Sequence, residues 1–360
     1  MSKKSTNGQE NPVIPPLKED FQCQQLKLFR TFLCNGKEEQ AQLSNTFDLW
    51  DSVPRYAVSR QQMDKIRKTK GYLDLHTIEF NYRGTTLKTI IQAARILDEK
   101  TGISKDFYPS GSEELIEDAL RKIAADQQNG FFDKPNFRSG VLFSLYALRE
   151  ELKKRGHTRS YQEIILSLQI LARSSIEIRT MDGKGNESFA VSSYISALSV
   201  VSRSKITENK NARWLVQFHP LVTHEIDALT YRQFNYAQMM SHKTQLARWL
   251  HKQLSLKFTF ASLITPFETR YSTIKRDSAL LDSYGRERKA IEALDGALEE
   301  LIAAKVLLKF DKKLILGIRS KVEDVVYTLF ASQDFSRDMK AANKRKQIAE
   351  NELLTKTKNR

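Results

Sequence analysis

Residues Ser144 to Val191, SLYALREELKKRGHTRSYQEIILSLQILARSSIEIRTMDGKGNESFAV, hold the stretch whose reading decides the fold. The Ser144 hydroxyl can cap a helix that carries Leu145, Leu148 and Leu152 on one stripe and ends before Gly156. A short basic turn follows. Ser160 and Glu163 then make a capping box, opening a second helix in which Tyr161, Ile164, Ile165, Leu168, Leu171 and Ala172 recur at helical spacing. Ile176 to Thr180 is rich in β-formers, Asp182 to Asn186 reads as a loop, and Ser188 to Val201 returns as the second arm of a hairpin. Helix, turn, helix, hairpin is the winged-helix order.

The same order recurs downstream. Ser241 caps a helix bearing Leu246, Trp249, Leu250 and Leu254, and Thr273 to Leu281 is a short second helix. Asp282 or Ser283 caps a third, with Ile291, Leu294, Leu298, Leu301 and Ile302 on one stripe. Val306 to Phe310, a tight Asp311-Lys312 turn and Lys313 to Ile318 supply its hairpin. The two final helices start about 120 residues apart, too far for a solenoid repeat and suited to tandem domains. The expected fold is α+β: two tandem winged-helix domains over 70–229 and 230–322, a flexible N-terminal arm and a basic C-terminal tail over 323–360.

Outward from these modules the signals weaken. Residues 1–20, with Pro12, Pro15 and Pro16 among polar side chains, read as a disordered arm. Over 21–69 there are apolar clusters at Leu26 to Phe32 and Phe47 to Val53, and pattern alone assigns them no role. Leu73 to Tyr82 alternates, Arg83-Gly84 turns, and Thr85 to Ala94 returns, which predicts a hairpin. Ser112 to Asp126 has helical spacing, Trp214, Val216 and Phe218 alternate as a strand, and Leu221 to Leu229 predicts a connecting helix. After Ser332 the chain is polar and basic.

The chain has 360 residues, 28% charged and 40% hydrophobic, enough apolar content for two or three cores. Its 58 Lys+Arg against 43 Asp+Glu give a net charge of +15, which draws the protein to polyanions. No stretch approaches the roughly 18 to 20 apolar residues of a membrane span, and Met1 to Glu10 is polar, so a cytoplasmic protein is expected. Cys23 and Cys34 are the only cysteines, which excludes a disulfide framework and a CxxC site. A Walker loop, a GxSxG elbow and a HExxH helix are absent, and no two histidines flank a single apolar residue as in rolling-circle nicking enzymes. His219 and His224, interrupted by Pro220, suit no metal clamp. Catalysis and a bound cofactor are therefore not expected.

The binding candidates are basic. Arg286, Arg288 and Lys289 open the third helix of the second module, where each cation costs roughly 0.3 to 1 kcal/mol against the helix dipole unless an anion sits there. A phosphate backbone would be that anion. The plain alternative pairs Arg288 with Glu292 one turn on. Glu292, Asp295, Glu299 and Glu300 would be repelled by DNA, so only the first turn or two is expected in a groove. Lys312 and Lys313 on the hairpin are expected at phosphates. The first module offers Lys154, Arg155, His157 and Arg159 in its turn and Lys184 at its hairpin tip. Tyr161 fits either core or groove, and Trp214 and Trp249 fit core stripes better than base-stacking platforms.

Four segments, Thr77 to Gly84 (TIEFNYRG), Trp214 to Ile226 (WLVQFHPLVTHEI), Tyr231 to Leu254 and Arg286 to Leu307, resemble iteron-type plasmid replication initiators of the TrfA and RepC group. The likeness runs over roughly residues 70–320 and rests on diffuse apolar patterns. It implies two winged-helix domains that bind direct repeats of double-stranded DNA in a plasmid origin and open adjacent AT-rich duplex. It also implies recruitment of the host replicative helicase and initiator, and it allows a homodimer. Asp98 to Ser112 and the segment after Ser320 depart from the pattern. The competing reading is a transcriptional repressor, but two unlike modules in one chain favour direct repeats over palindromes.

Overall fold

The structure is a computed structural model that describes residues 37–98, 101–126, 129–181, 187–201, 212–317 and 322–358. The expected arm over 1–20, the Leu26 to Phe32 cluster and Lys184 lie outside the described residues. In chain order the elements run α1 (Lys37–Gln42), β1 (Leu43–Phe47), α2 (Arg60–Lys70), β2 (His76–Tyr82), β3 (Thr85–Gln92), β4 (Ala94–Leu97), β5 (Ser104–Phe107) and α3 (Gly111–Ala125). Next come β6 (Gly130–Asp133), β7 (Arg138–Phe143), α4 (Leu145–Lys154), α5 (Tyr161–Arg173), β8 (Ser175–Met181), β9 (Glu187–Ser193), β10 (Ile195–Val201), β11 (Arg213–Phe218) and α6 (Pro220–Asp227). The chain continues through β12 (Tyr231–Asn235), α7 (Tyr236–Ser241), α8 (Gln245–Lys257), β13 (Phe267–Arg270) and α9 (Tyr271–Ser278). It closes with α10 (Glu287–Ala303), β14 (Leu307–Leu316), β15 (Val322–Ala331) and α11 (Gln333–Lys358).

Local chemistry accounts for the first module. The Ser144 hydroxyl accepts from the Ala147 N–H, and Ser160 and Glu163 close the capping box on α5. Arg83 and Gly84 both take positive φ, 49° and 81°, the twist a two-residue hairpin turn needs between β2 and β3. Strands pair in the orders β2-β3-β8-β9 and β10-β11-β7-β6. The expected single strand over 188–201 is thus two strands, β9 and β10, in different sheets, parted at the buried Tyr194, whose hydroxyl donates to the Arg55 carbonyl at 2.9 Å.

One hydrophobic core gathers residues from Leu43 to Met240 together with Ala279, and a second runs from Leu246 to Met339, so α7, which follows the expected 229/230 boundary, packs with the first core. The reason is β12, which pairs antiparallel with β1, Leu43 opposite Asn235. The cluster from Phe47 to Val53, unassigned from pattern, forms the centre of the first core: Trp50 is fully buried, and its indole Nε1 donates to Glu117 at 2.5 Å. Around it α3 buries charged residues. Arg121 bonds Asp51 at 2.8 Å and Asp118 at 2.6 Å, and Arg55 bonds Asp51 and Glu117, each at 3.0 Å. Burial pushes the Glu117 carboxyl up, but the Arg55 and Arg121 guanidiniums outweigh it and hold it at about 2. Lys252 of α8 reaches into the same cluster, 2.9 Å from both Glu114 and Asp118, and ties the second core to the first.

In the second core four expectations change. The cap of α8 is Thr244, whose side chain accepts from Ala247 N, because Ser241 ends α7 and turns its hydroxyl to Gln238 O. The cap of α10 is Arg286, not Asp282 or Ser283, and no side chain caps it. The Asp311-Lys312 pair is not a turn. It lies within β14, opposite Thr328 and Tyr327 of β15, since Asp-Lys lacks the glycine or asparagine that such a tight turn requires and the alternation runs on to Leu316. Finally, 323–331 is not tail but β15, the middle strand of β13-β15-β14, with Val325, Tyr327 and Leu329 fully buried. Helix α11 then packs Phe335, Met339 and Ala342 inward, and Arg345 pairs with Glu39.

Candidate nucleic-acid interface

Helix α10 is fixed by Ala290, Leu294, Ala297, Leu298 and Leu301, all buried in the second core. That stripe leaves the first turn outward. Arg286, Arg288 and Lys289 are all exposed, and Arg288 has 90% of its side chain open to solvent. The plain alternative is also realised: Arg288 Nε lies 3.1 Å and Lys289 Nζ 2.8 Å from the Glu292 carboxylate. Those hydrogen bonds, from Lys289 first and then Arg288, hold Glu292 below the usual carboxylate range. Arg286 forms no ion pair among the described residues. Two carboxylates stand against these three cations, Glu292 and the first-turn Glu287, but Glu287 is already engaged by Lys275 and the Tyr271 hydroxyl, so the helix start keeps a positive excess beside orphan backbone N–H groups that no side chain caps.

The acids further along α10 are largely occupied. Asp295 receives Lys312 Nζ at 2.6 Å and the Tyr327 hydroxyl at 2.8 Å, and Glu300 accepts the backbone N–H groups of Lys243 and Thr244 at 2.7 and 3.1 Å. On the hairpin, Lys312 is therefore tied to α10, whereas Lys313 is exposed without an ion pair among the described residues. Leu308, Leu314 and Leu316 are exposed along β14.

The first module's turn divides. Lys154 is exposed, and Arg159 is half-buried with its guanidinium on the Thr158 carbonyl at 3.0 Å. Arg155 is spent internally on Glu151 at 2.9 Å and on the Ala41 carbonyl at 2.6 Å, over the Tyr236 ring. The His157 imidazole meets the Met240 carbonyl at 2.7 Å, and burial lowers its pKa. These two residues tie the turn to α1 and α7. Tyr161 packs at the edge of the core beneath Arg149, and Trp214 and Trp249 are buried, leaving no base-stacking platform in either. Among the described residues no group of three or more His, Cys, Asp or Glu could hold a metal ion, and no helix is long and apolar enough to cross a membrane. Sequence reasoning passed over α2, whose Lys65, Lys68 and Lys70 are exposed; five cations in RQQMDKIRKTK were its available signal.

No protein-family profile and no curated protein sequence matches the chain. Solved structures do show likeness. Domains 2 and 3 of RctB align with a TM-score of 0.46 at 12% identity, over 73% of this chain and 92% of that one. A second structure of RctB domains 2–3 aligns at 0.45 and 11%, over 80% and 98%. The Pi initiator protein in complex with iteron DNA aligns at 0.35 and 9%, over 82% and 99%. Scores below 0.5 leave the fold to rest on the pairings and cores described above.

Proposed function

We propose that this chain is a plasmid replication initiator that acts without catalysis in the cytoplasm. Its two units are winged-helix modules that bind direct repeats of double-stranded DNA in an origin, promote opening of adjacent AT-rich duplex and recruit host replication proteins. The observation that carries the reading is the start of α10: three exposed cations on an uncapped helix end, held outward by a buried stripe and followed by the β14–β15 hairpin. A recognition helix presents its N-terminal residues to base edges in this way. The helix–helix–helix–hairpin order of α3, α4, α5 and β8–β9 returns in α8, α9, α10 and β14–β15, so one chain offers two unlike modules, which suits direct rather than palindromic sites.

Selection of bound DNA from random duplexes tests this. Two modules on one side of a duplex sit about one helical turn apart, giving direct, non-palindromic sites and a footprint of roughly 20 bp. A short palindrome bound by two chains would establish the repressor instead. A supercoiled plasmid carrying the selected repeats beside an AT-rich segment should become sensitive there to a single-strand-specific nuclease when the protein is added.

A further inference from the structure

Helix α5 occupies the recognition position of the first module, yet one flank of it is covered. Ala94 and Ile96 of β4 form an apolar cluster with Ile170, against which Leu166 and Phe107 pack; Ala94 and Ile170 are fully buried. A helix needs a free face to lie in a major groove about 12 Å wide. At Leu166 and Ile170 α5 carries the β4–β5 hairpin, which stands beside the half-buried Gln169 and the exposed Arg173 and crowds the approach of a duplex to this helix. Its second strand, β5, lies within the segment from Asp98 to Ser112.

The hairpin is braced by α2. Arg67 donates to the Asp106 carbonyl, and the Arg60 and Arg67 guanidiniums lie over the Phe107 ring at 4.8 and 5.0 Å. Between α2 and the hairpin is an open concavity of about 260 Å³, lined by Arg67, Lys68, Arg95 and Lys105 with Asp64 and Asp106. Both carboxylates already have partners, Asp64 with Arg67 at 2.5 Å and Asp106 with Arg95 at 3.6 Å. Lys68 and Lys105 are exposed and form no ion pair among the described residues, and Lys65 is exposed one turn from Lys68. The surface is thus cationic in excess, concave, and placed on the side of the module where a groove-reading helix would otherwise emerge.

We infer that the first module meets duplex DNA through this α2/β4–β5 surface, with Lys68, Arg95 and Lys105 on backbone phosphates, and that α5 does not enter the groove. Phosphodiester oxygens suit the set: lysine supplies mobile point charges, and the Arg95 guanidinium, 71% exposed and only loosely held by Asp106, supplies a planar fork. The division of labour follows, with α10 reading bases and the first module positioning the duplex. The inference rests on the duplex-binding reading above.

The test measures affinity against salt for the full chain on the selected duplex, a scrambled duplex and the single strand of the same sequence. Lys68→Ala with Lys105→Ala should weaken both duplexes by the same factor and reduce the log K–log[salt] slope by about two, one for each phosphate no longer neutralised. Lys68→Arg with Lys105→Arg should restore both. Gln162→Ala, at the exposed first turn of α5, should change nothing. An unchanged slope, a loss confined to the single strand, or a Gln162→Ala loss confined to the selected duplex overturns the inference. If the unaltered protein binds no duplex at all, the duplex-binding reading falls as well, and that failure shows before any variant is made.

Discussion

Replacing Lys252 by Met removes a charge that two carboxylates need while nearly conserving volume. The Nζ atom is 2.9 Å from Glu114 Oε1 and 2.9 Å from Asp118 Oδ2, and all three side chains are 4% exposed. At an effective dielectric of about 20, each attraction is worth roughly 6 kcal/mol gross. Removing the ammonium also removes its own desolvation cost, so the net loss should be about 3–5 kcal/mol, as for other broken buried pairs. The loss should depend on pH. Burial pushes the Glu114 carboxyl up, but Lys252 and Arg248 outweigh it and hold it below its ordinary value. Burial also raises Asp118, and there it outweighs Lys252 and Arg121. Without Lys252 both carboxyls rise. A raised folded-state pKa favours the fold at low pH and loses that contribution as pH increases, so the deficit should be smaller at pH 5 than at pH 7.5. Urea denaturation followed by tryptophan fluorescence at both pH values measures it. A deficit below about 1 kcal/mol at pH 7.5, or one independent of pH, would refute the assignment of this cluster as a charged bridge between the cores.

Arg286→Ala with Arg288→Ala should cost about 1–3 kcal/mol per base-reading contact on the selected duplex and much less on a scrambled one; equal losses on both would show phosphate contact only. Lys313→Ala should reduce the salt slope by about one, whereas Lys312→Ala should also free Asp295 and weaken binding further by exposing its carboxylate to the DNA. For the unaltered protein, six to ten neutralised phosphates give a slope of roughly −5 to −9, and a flat response would end the nucleic-acid reading. Burial pushes the Glu225 carboxyl up to about 8, against the pull of the Leu49 and Trp50 N–H donors, so its contribution to stability is full below about pH 4.5 and lost as pH rises through 8. Glu225→Gln should flatten that part of the urea-denaturation profile between pH 5 and 8.5.

What could be read from the chain alone was what neighbours in sequence decide. Ser144, Ser160 with Glu163, and Arg83-Gly84 act within four residues of themselves, and the structure places all of them as expected. Partnerships across the chain were not legible. The charges of α3 look like a solvated face until Asp51, Arg55 and Lys252 arrive from elsewhere and bury them, and Arg155 and His157 look free until the Ala41 and Met240 carbonyls meet them. The Asp311-Lys312 pair misleads for a different reason: charged residues on an exposed strand face resemble a turn when the partner strand, β15, is read as tail. For the candidate site, the buried stripe that turns the start of α10 outward was visible in its periodicity, but the contact of β4 with α5 was not, because β4 is a strand of only four residues.

The pairing of β1 with β12 sets a timetable for synthesis. Leu43 leaves the ribosome far ahead of Asn235, its partner in the ladder, and at about 5–20 residues per second the interval is roughly ten to forty seconds. Throughout that interval Phe47, Trp50 and Val53 have some of their eventual neighbours but not the strand that seals them, and the second unit cannot yet deliver Lys252 to the carboxylates of α3. The first core therefore closes only once β12 has emerged, and slower synthesis between α6 and β12 lengthens the time its apolar residues wait for that strand.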